Sequence, residues 1–366
     1  MVHCSPLPRI AVPYPVRLTL LVPELLWPEP GDKLTLDNLS CPGLEWLLAR
    51  GQLRRGERLS HETALARLFG LAADAPFGAL RLLGEPLKGN GPNARDGFWL
   101  CADPVHLRFH QERIVLADAG AFELSDDEAY ELANALSREF ADMGQFHVGE
   151  ARRWYLRLNQ TVTHDAAPLS AVAGRRMDGE LPEAVDASPL RRWLNEIQMF
   201  LHGHPINSER QATGKPVINS LWLWGAGALP SGPAPAFAGV RADSPLPIGL
   251  ARAARIPVAP LPHSLEAFLA AAPAPGEHLL VIEDLLAPVL YEDGNGWRAA
   301  QEALDKKWFA PLRRALAGPL TALTLVAPTI YGQLTWDIRA ADRWKLWRRP
   351  QALASLADSL AKEIAP

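Results

Sequence analysis

The N-terminal part of the chain shows two hydrophobic patterns of different period. The segment "VRLTLLVPELL" is almost continuously apolar, which is typical of a strand buried on both faces of a parallel sheet. "CPGLEWLLARG" predicts a helix that ends at Gly51, and "LSHETALARLFGL" predicts an amphipathic helix behind a Ser60 cap. A strand followed by two helices predicts an α/β layer arrangement.

A cluster of Gly, Asn and Pro at residues 87–97 predicts a linker or long turn, after which the pattern changes. "GFWLCADPVHLRF" and "RIVLAD" predict strands, and a capping box formed by Ser125 and Glu128 begins the helix that follows. Further strands come next, so these residues predict a small α+β module. We therefore expect an inserted α+β domain at 96–160, between the two parts of a main α/β domain at 1–95 and 161–366.

The pattern of residues 161–366 returns to alternating helices and strands. "ASPLRRWLNEIQMFLHG" predicts an amphipathic helix, followed by a polar loop at "HPINSER" and a buried strand at "NSLWLWG". A long helix is predicted at "WRAAQEALDKKWFAPLRRALA", with strands on either side of it. This alternation places "NSLWLWG" in the main α/β domain.

Composition and charge narrow the classes of protein. The formal net charge is -4 and the basic pairs are short and scattered, so we expect no nucleic-acid partner. The three cysteines have no C-x-x-C spacing, which argues against a disulfide framework and a thiolate zinc site. No apolar run near the N-terminus is long enough to span a membrane, so we expect a cytoplasmic protein with no membrane partner.

The residues after the predicted helix "ASPLRRWLNEIQMFLHG" include candidate ligand groups. His204, Asn207 and Arg210 supply an imidazole, an amide and a guanidinium that could hold a phosphate or carboxylate. The alternative is a surface loop in which Asn207 caps a turn. Gly225 and Gly227 in "WGAG" could let the backbone approach an anion closely, or they could form an ordinary tight turn.

Ser60 and His61 place a hydroxyl and an imidazole at a predicted helix start, where the helix dipole favours an anion. Neighbouring residues of a helix point in different directions, so the two do not form a nucleophile and its base by themselves. A plain N-cap is the alternative interpretation. The common short catalytic motifs, such as G-x-S-x-G and H-E-x-x-H, do not occur in the sequence.

In sequence order, these segments resemble the archaeal-type cofactor-independent phosphoglycerate mutases of the alkaline phosphatase superfamily, and more closely their RpfE-type regulatory branch. "SHETALARLFGL" resembles the helix that the mutase nucleophile opens, with Ser60 at the nucleophile position. "HPINSERQATGKPVINSLWLWGAG" is similar to a further family segment. The resemblance implies an alkaline-phosphatase-like αβα sandwich with a mostly parallel sheet and a small inserted α+β domain.

The same resemblance shows where this chain departs from the mutases, which need two divalent metals. Pro23 and Glu24 stand where the first mutase strand ends in Asp-Gly, and Ala75 stands where an Arg is expected. "IEDLLAPVLYEDGNGW" and "VAPTIYGQLTWDIR" correspond to metal-binding segments but contain no histidine. Because carboxylate and imidazole ligands hold such metals, we expect the metal site to be lost and no cofactor to be bound.

Our main hypothesis is therefore a non-catalytic, regulatory or ligand-binding protein that takes a phosphorylated or acidic small molecule. Ser60 is then a degenerate nucleophile position. The candidate ligand-facing residues are His61, His204, Asn207, Arg210, Gly225 and Gly227. The alternative is an active mutase or phosphatase with Mn or Zn in a site rebuilt from Glu24, His164, Asp165, Glu283 and Asp284.

A third hypothesis is a protein-interaction module in which the C-terminal segment "DRWKLWRRP" docks a protein partner. Exposed Trp and Arg side chains are favoured interface anchors. The competing interpretation, which we favour from the sequence, is that Trp344 and Trp347 pack against the main domain.

Overall fold

The structure is a computed structural model that describes residues 16–86, 91–110, 113–118, 120–162, 166–172, 189–230, 235 and 237–363, with backbone only at 109–110, 113–115 and 189–191. Its strands are β1 Val16–Leu21, β2 Gln52–Arg55, β3 Phe98–His110, β4 Arg113–Asp118, β5 Gly144–Glu150, β6 Arg153–Leu158, β7 Ser220–Gly227, β8 Phe237–Arg241, β9 Val258–Ala259, β10 Gly276–Val281, β11 Leu320–Thr329 and β12 Gly332–Arg339.

The helices are α1 Lys33–Leu36, α2 Pro42–Arg50, α3 His61–Leu68, α4 Phe77–Gly84, α5 Asp126–Glu139, α6 Leu169–Val172, α7 Pro189–His202, α8 Pro205–Ala212, α9 Pro245–Ala253, α10 Leu265–Ala270, α11 Leu286–Leu290, α12 Gly294–Leu304, α13 Ala310–Ala315 and α14 Leu353–Lys362. A π-helical turn, Asp305–Phe309, joins α12 to α13, and a 3₁₀ turn, Ala340–Trp344, follows β12.

The larger sheet has seven strands in the order β2-β12-β11-β1-β10-β8-β9. The pairs from β11 to β9 are parallel, whereas β12 pairs antiparallel with both β11 and β2. The predicted parallel strand at "VRLTLL" is β1, at the centre of this sheet. The mixed α/β class with a mostly parallel sheet is therefore confirmed.

Side chains that alternate along the central strands divide the core between the two faces of this sheet. Leu18 and Leu20 of β1 pack with α2, α12, α13 and α14 on one face. Leu21 of β1 and Leu279 of β10 pack with α3, α4 and α9 on the other. Because β1 is covered on both faces, its sequence is almost continuously apolar, as expected for a strand of a parallel sheet.

The second sheet is antiparallel and has five strands, in the order β4-β3-β6-β5 with β7 paired to β3. Helix α5 begins with the predicted capping box between Ser125 and Glu128, which is confirmed. The strand "NSLWLWG" was expected in the main domain. It is β7, and it lies in this second sheet, antiparallel to β3. The boundary of the inserted domain at residue 160 stays a prediction.

Two further expectations are wrong. "HPINSER" was predicted to be a polar loop, but Pro205–Ala212 is helix α8, with Pro205 at its start and His204 as its N-cap. Trp344 and Trp347 were expected to pack on the main domain, but they are 66% and 77% exposed. Their neighbours Arg348 and Arg349 are exposed as well.

Candidate ligand-binding cleft

A cleft of 270 Å³ lies at the carboxyl ends of the parallel strands, next to the start of α3. Residues after β1, at the end of β11 and at the start of α3 form its walls. In open α/β sheets this edge is where ligands bind. The lining residues are Pro23, Glu24, Arg58, Leu59, Ser60, His61, Ser170, Ala171, Leu286, Pro328 and Thr329.

Ser60 is the N-cap of α3, as the sequence predicts. Its Oγ accepts a hydrogen bond from the Thr63 backbone N at 3.1 Å and donates to the Thr63 Oγ1 at 3.0 Å. Asx- and Ser-type caps satisfy one of the free N–H groups at a helix start, and the remaining groups and the dipole favour an anion there. Ser60 therefore presents a helix N-terminus to the cleft.

His61, the first residue of α3, is buried and points to the end of β10. Its Nε2 lies 2.7 Å from the Glu283 Oε1. Burial opposes protonation of His61, but the hydrogen bond to Glu283 and the nearby carboxylates outweigh it, so the pKa of the imidazole is raised. Burial likewise opposes ionisation of Glu283, but the hydrogen bond to His61 lowers its pKa. The pair is therefore held in its charged form.

The second ring nitrogen of His61 is also buried. In the described part of the chain, Nδ1 has no hydrogen-bond partner. A buried imidazolium N–H without a partner is costly, because a group taken from water should regain a hydrogen bond. His61 is one of the residues that line the cleft, so a small side-chain adjustment that admits an acceptor atom to Nδ1 would relieve this cost.

Glu24 occupies the strand end where the mutases carry Asp-Gly. Its φ is +56°, in the left-handed region that glycine adopts without strain. The Trp297 Nε1 donates to the Glu24 backbone O at 3.0 Å, which helps to hold this conformation. A non-glycine residue is thus held in a conformation that favours glycine, at the edge of the cleft.

The candidate metal ligands do not come together in the described residues. Glu283 is bonded to His61, and Asp284 is exposed. Among the residues that the structure describes, no group of three or more His, Cys, Asp or Glu side chains is placed to hold a metal ion. The described donors do not fit a two-metal centre. His164 and Asp165 lie outside the described residues, so the rebuilt site stays a prediction.

His204, Asn207 and Arg210 lie on α8, beside the second sheet, and are not among the described residues that line the Ser60 cleft. The His204 Nδ1 accepts from the Ile206 N at 3.3 Å, which caps α8. The Asn207 side chain bonds to Leu201 O and to both backbone groups of Ile218 at 2.7–2.8 Å. These contacts hold α7, α8 and β7 together.

Arg210 is 1% exposed, and its side-chain donors bond within the fold. They contact the Glu128 Oε1 at 2.8 Å, the Glu123 O at 2.8 Å and the Pro216 O at 2.7 Å. A guanidinium bound in this way stabilises the α5–α8 contact. A ligand role for Arg210 has no support from these contacts.

Gly225 and Gly227 pack closely against the start of helix α4. A Cβ added at Gly225 would lie 2.6 Å from the Phe77 Cβ, and one at Gly227 would lie 2.5 Å from the Pro76 Cβ. Both glycines also have positive φ, 65° and 154°. The sequence alternatives were an anion loop and a plain turn; close packing of β7 on α4 is a further reason for glycine at both positions, and the ligand role stays a prediction.

A buried ionic network at the same contact was not predicted. The Asp103 carboxylate of β3 accepts from the Arg81 Nη1 and Nη2 at 2.9 and 2.6 Å, and from the Trp224 Nε1 at 2.9 Å. The Arg81 Nε donates to the Tyr155 hydroxyl at 3.0 Å. Alternation could have indicated that Asp103 faces inward, but its partners are remote in sequence.

The architecture and the cleft define an α/β protein with a polar site at the carboxyl edge of its parallel sheet. No protein-family model matches the chain. A solved protein of Pyrococcus horikoshii shares the fold over 96% of this chain and 97% of its own, at 14% identity and a TM-score of 0.56. A cofactor-independent phosphoglycerate mutase of Thermoplasma acidophilum is 19% identical over 96% of this chain and 100% of its own, with a TM-score of 0.49.

Homology is inferred from sequence similarity to curated proteins. The 2,3-bisphosphoglycerate-independent phosphoglycerate mutase of Methanosarcina acetivorans is 29% identical over 55% of this chain and 52% of its own length. The enzyme of Methanosarcina mazei is 29% identical over 37% of this chain and 35% of its own. The chain thus spans about half or less of the length of the curated relatives it matches, and over that part it is homologous to the archaeal-type cofactor-independent phosphoglycerate mutases.

Proposed function

We propose that this chain is a non-catalytic, phosphoglycerate-mutase-like protein of the regulatory, RpfE type, which binds a phosphorylated or acidic small molecule in the Ser60 cleft. The observation that carries the proposal is the polar cleft at the start of α3, in which a charged His61 has one buried nitrogen without a partner in the described residues. A bound anion would accept a hydrogen bond from that nitrogen.

The chemistry of the cleft favours an anion that also carries a hydroxyl group. Arg58, His61 and the N-terminus of α3 supply positive charge. Glu24 also lines the cleft and carries a carboxylate, whereas the Thr329 hydroxyl already donates to the Gly332 O and accepts from the Tyr331 N. A phosphorylated hydroxy acid matches these groups, since its phosphate accepts hydrogen bonds and its hydroxyl donates one to a carboxylate.

Two contacts support binding without phosphoryl transfer. A mutase nucleophile must be activated by a base or a metal. Here the Ser60 Oγ donates to Thr63, and the His61 Nε2 faces Glu283. Neither group is engaged in activating the other. The mutase activity of the curated relatives favours the alternative of an active mutase, which the experiment below tests directly.

The test measures binding of 3-phosphoglycerate by calorimetry and its conversion to 2-phosphoglycerate with and without Mn²⁺. We expect saturable binding, no turnover, and affinity lowered about tenfold by Arg58→Ala, which removes a charge-assisted contact. Ser60→Ala should also weaken binding. Ser264→Ala is its matched control, because Ser264 caps α10 through the Ala267 N at 3.2 Å.

Three results would contradict the proposal. Steady turnover with Mn²⁺ that Ser60→Ala abolishes would establish an active mutase. About two equivalents of Mn or Zn in the purified protein would establish a rebuilt two-metal centre. Equal affinity for 3-phosphoglycerate in the wild type and in Arg58→Ala would place the ligand elsewhere.

A further inference from the structure

The turn between β12 and α14 exposes three large apolar side chains within four residues. Trp344, Leu346 and Trp347, the tryptophan surface, are 66%, 71% and 77% exposed. Large apolar side chains that are exposed singly need no explanation, but a contiguous group marks an interaction site. We propose that the tryptophan surface is a peripheral docking site for an anionic lipid bilayer.

The backbone of this turn is fixed to the rest of the fold. The Arg348 Nη1 donates to the Gly51 O at 3.0 Å, and the Arg348 O accepts from Arg50. The Asp342 Oδ2 accepts from the Arg339 N at 2.7 Å, and Asp342 pairs with Lys345. The apolar side chains are therefore held outward by a structured turn, and little ordering entropy is lost when they enter a second phase.

Basic residues are concentrated in the same turn as the tryptophan surface. Residues 339–349 contain a single acidic side chain, Asp342, although the whole chain has a formal net charge of -4. The Arg343 guanidinium lies 5.2 Å from the centre of the Trp344 ring. At physiological salt, charges act over about 8 Å, so this local excess counts for more than the charge of the whole chain. The cations are Arg339, Arg343, Lys345, Arg348 and Arg349.

The side-chain chemistry of this surface fits the interface of a bilayer. Anchors of protein interfaces also project and fill pockets of the partner, so the choice of a bilayer rests on the cations beside the rings. The neighbouring cleft, of 410 Å³, is lined by Arg339, Asp342 and Lys345, and the tryptophan surface is not part of its described lining. Projecting Trp and Leu with Arg and Lys beside them match the bilayer interface, where rings sit at headgroup depth and cations meet anionic lipids.

Hydropathy over long windows could not detect such a site. In the described residues, no helix is long and apolar enough to cross a membrane. The expectation that there is no membrane partner rested on that kind of span. A turn of four residues reaches only the interface of a bilayer, so the contact is peripheral and reversible.

The experiment is co-sedimentation of the full chain with phosphatidylcholine vesicles, with and without phosphatidylserine. We expect binding only to vesicles with phosphatidylserine, weakened at high ionic strength. Trp347→Ala should lower the apparent affinity about tenfold, and Trp344→Ala by a similar factor, because each removes a ring from the apolar phase. Met199→Ala is the matched control, since Met199 is also 77% exposed but lies on α7.

Circular dichroism and the thermal midpoint of each variant show that it is folded, as expected for a change at an exposed side chain. Equal sedimentation with both lipid compositions, or no sedimentation at all, would overturn the proposal. So would binding that Trp347→Ala leaves unchanged. If the wild type instead binds an acidic, aromatic-rich peptide through Trp347 and ignores the vesicles, the site docks a protein and the lipid proposal is wrong.

Discussion

At the scale of single residues, the pair His61 and Glu283 links the start of α3 to the end of β10. The His61 side chain is buried and that of Glu283 is about one quarter exposed. Their pKa values move in opposite directions, that of His61 upward and that of Glu283 downward. Each shift means that the folded state favours the charged form of that side chain, so the pair contributes to stability in a defined range of pH.

The first prediction concerns this range. The contribution of His61 is full below its ordinary pKa of about 6.5 and is lost as pH rises through the raised folded value. That of Glu283 is full above its ordinary pKa of about 4.3 and is lost as pH falls through the lowered folded value. We expect His61→Gln to lower the free energy of unfolding by about 1–3 kcal/mol between these values, and by less at higher pH.

Urea unfolding of the wild type, His61→Gln, Glu283→Gln and the double variant, repeated from pH 5 to pH 9, measures the coupling between the two side chains. The wild type should lose stability relative to His61→Gln as pH rises through the folded pKa of His61. A coupling energy that stays constant across this range would show that the pair is not ionic.

At the scale of elements, helix α2 depends on a side chain that is remote in sequence. Its N-cap residue, Cys41, provides no side-chain hydrogen bond. The Asp305 carboxylate replaces it, accepting from the Leu44 N at 2.7 Å and from the Gly43 N at 3.2 Å. Asp305 begins the π-helical turn that interrupts the predicted long helix. A Cβ added at Gly43 would lie 2.4 Å from the Ala310 N. Helices α2 and α13 therefore meet at this glycine.

The second prediction is that Asp305→Ala lowers the free energy of unfolding by about 1–2 kcal/mol, the usual effect of removing a helix cap. Because the donors Gly43 N and Leu44 N are then left without their acceptor in a buried place, the upper part of that range is expected. Chemical unfolding measures it. Lys306→Ala, at the exposed neighbouring position, is the control and should change stability by less than about 0.5 kcal/mol. An equal loss in both variants would refute the capping role.

At the scale of the whole molecule, the sequence predicts what depends on local pattern. The continuous apolar run of β1, the Ser60 cap and the capping box of α5 are each specified within a few residues, and each is observed. The partner of β7 is not local, since β3 lies more than a hundred residues earlier in the chain. Helix α8 was not predicted because its sequence is polar and typical of a loop. Burial of Trp344 was predicted from residue type alone, and the side chain is exposed.

The residues of the candidate site likewise divide into those that a local signal places correctly and those whose contacts depend on the fold. Ser60 and His61 are placed at a helix start by a local signal, and both line the cleft. His204, Asn207 and Arg210 carry suitable groups, but the folded chain uses those groups to join α7, α8 and α5. Residue type indicates which interactions a side chain can make, whereas only the fold decides whether protein atoms already satisfy them.

The contact between the two sheets contains a buried ion pair between helix α4 and strand β3. Helix α4 lies between them, and one apolar cluster contains side chains of β1, α4, β3 and β7. Within it, Arg81 of α4 pairs with Asp103 of β3, and both side chains are less than 10% exposed. Buried ion pairs contribute little net stability, but loss of one partner leaves an uncompensated buried charge.

The third prediction follows from this difference between removing one partner of a buried ion pair and removing both. Asp103→Ala should lower the free energy of unfolding by about 3–5 kcal/mol, because Arg81 keeps its charge and loses two of its hydrogen bonds. The double variant Arg81→Met, Asp103→Leu removes both charges and should recover much of the loss, since two apolar side chains of similar volume can occupy the space. Urea unfolding followed by tryptophan fluorescence measures the stability of both variants. If the double variant is less stable than Asp103→Ala, the pair itself stabilises the contact between the sheets, and the desolvation argument is wrong for this site.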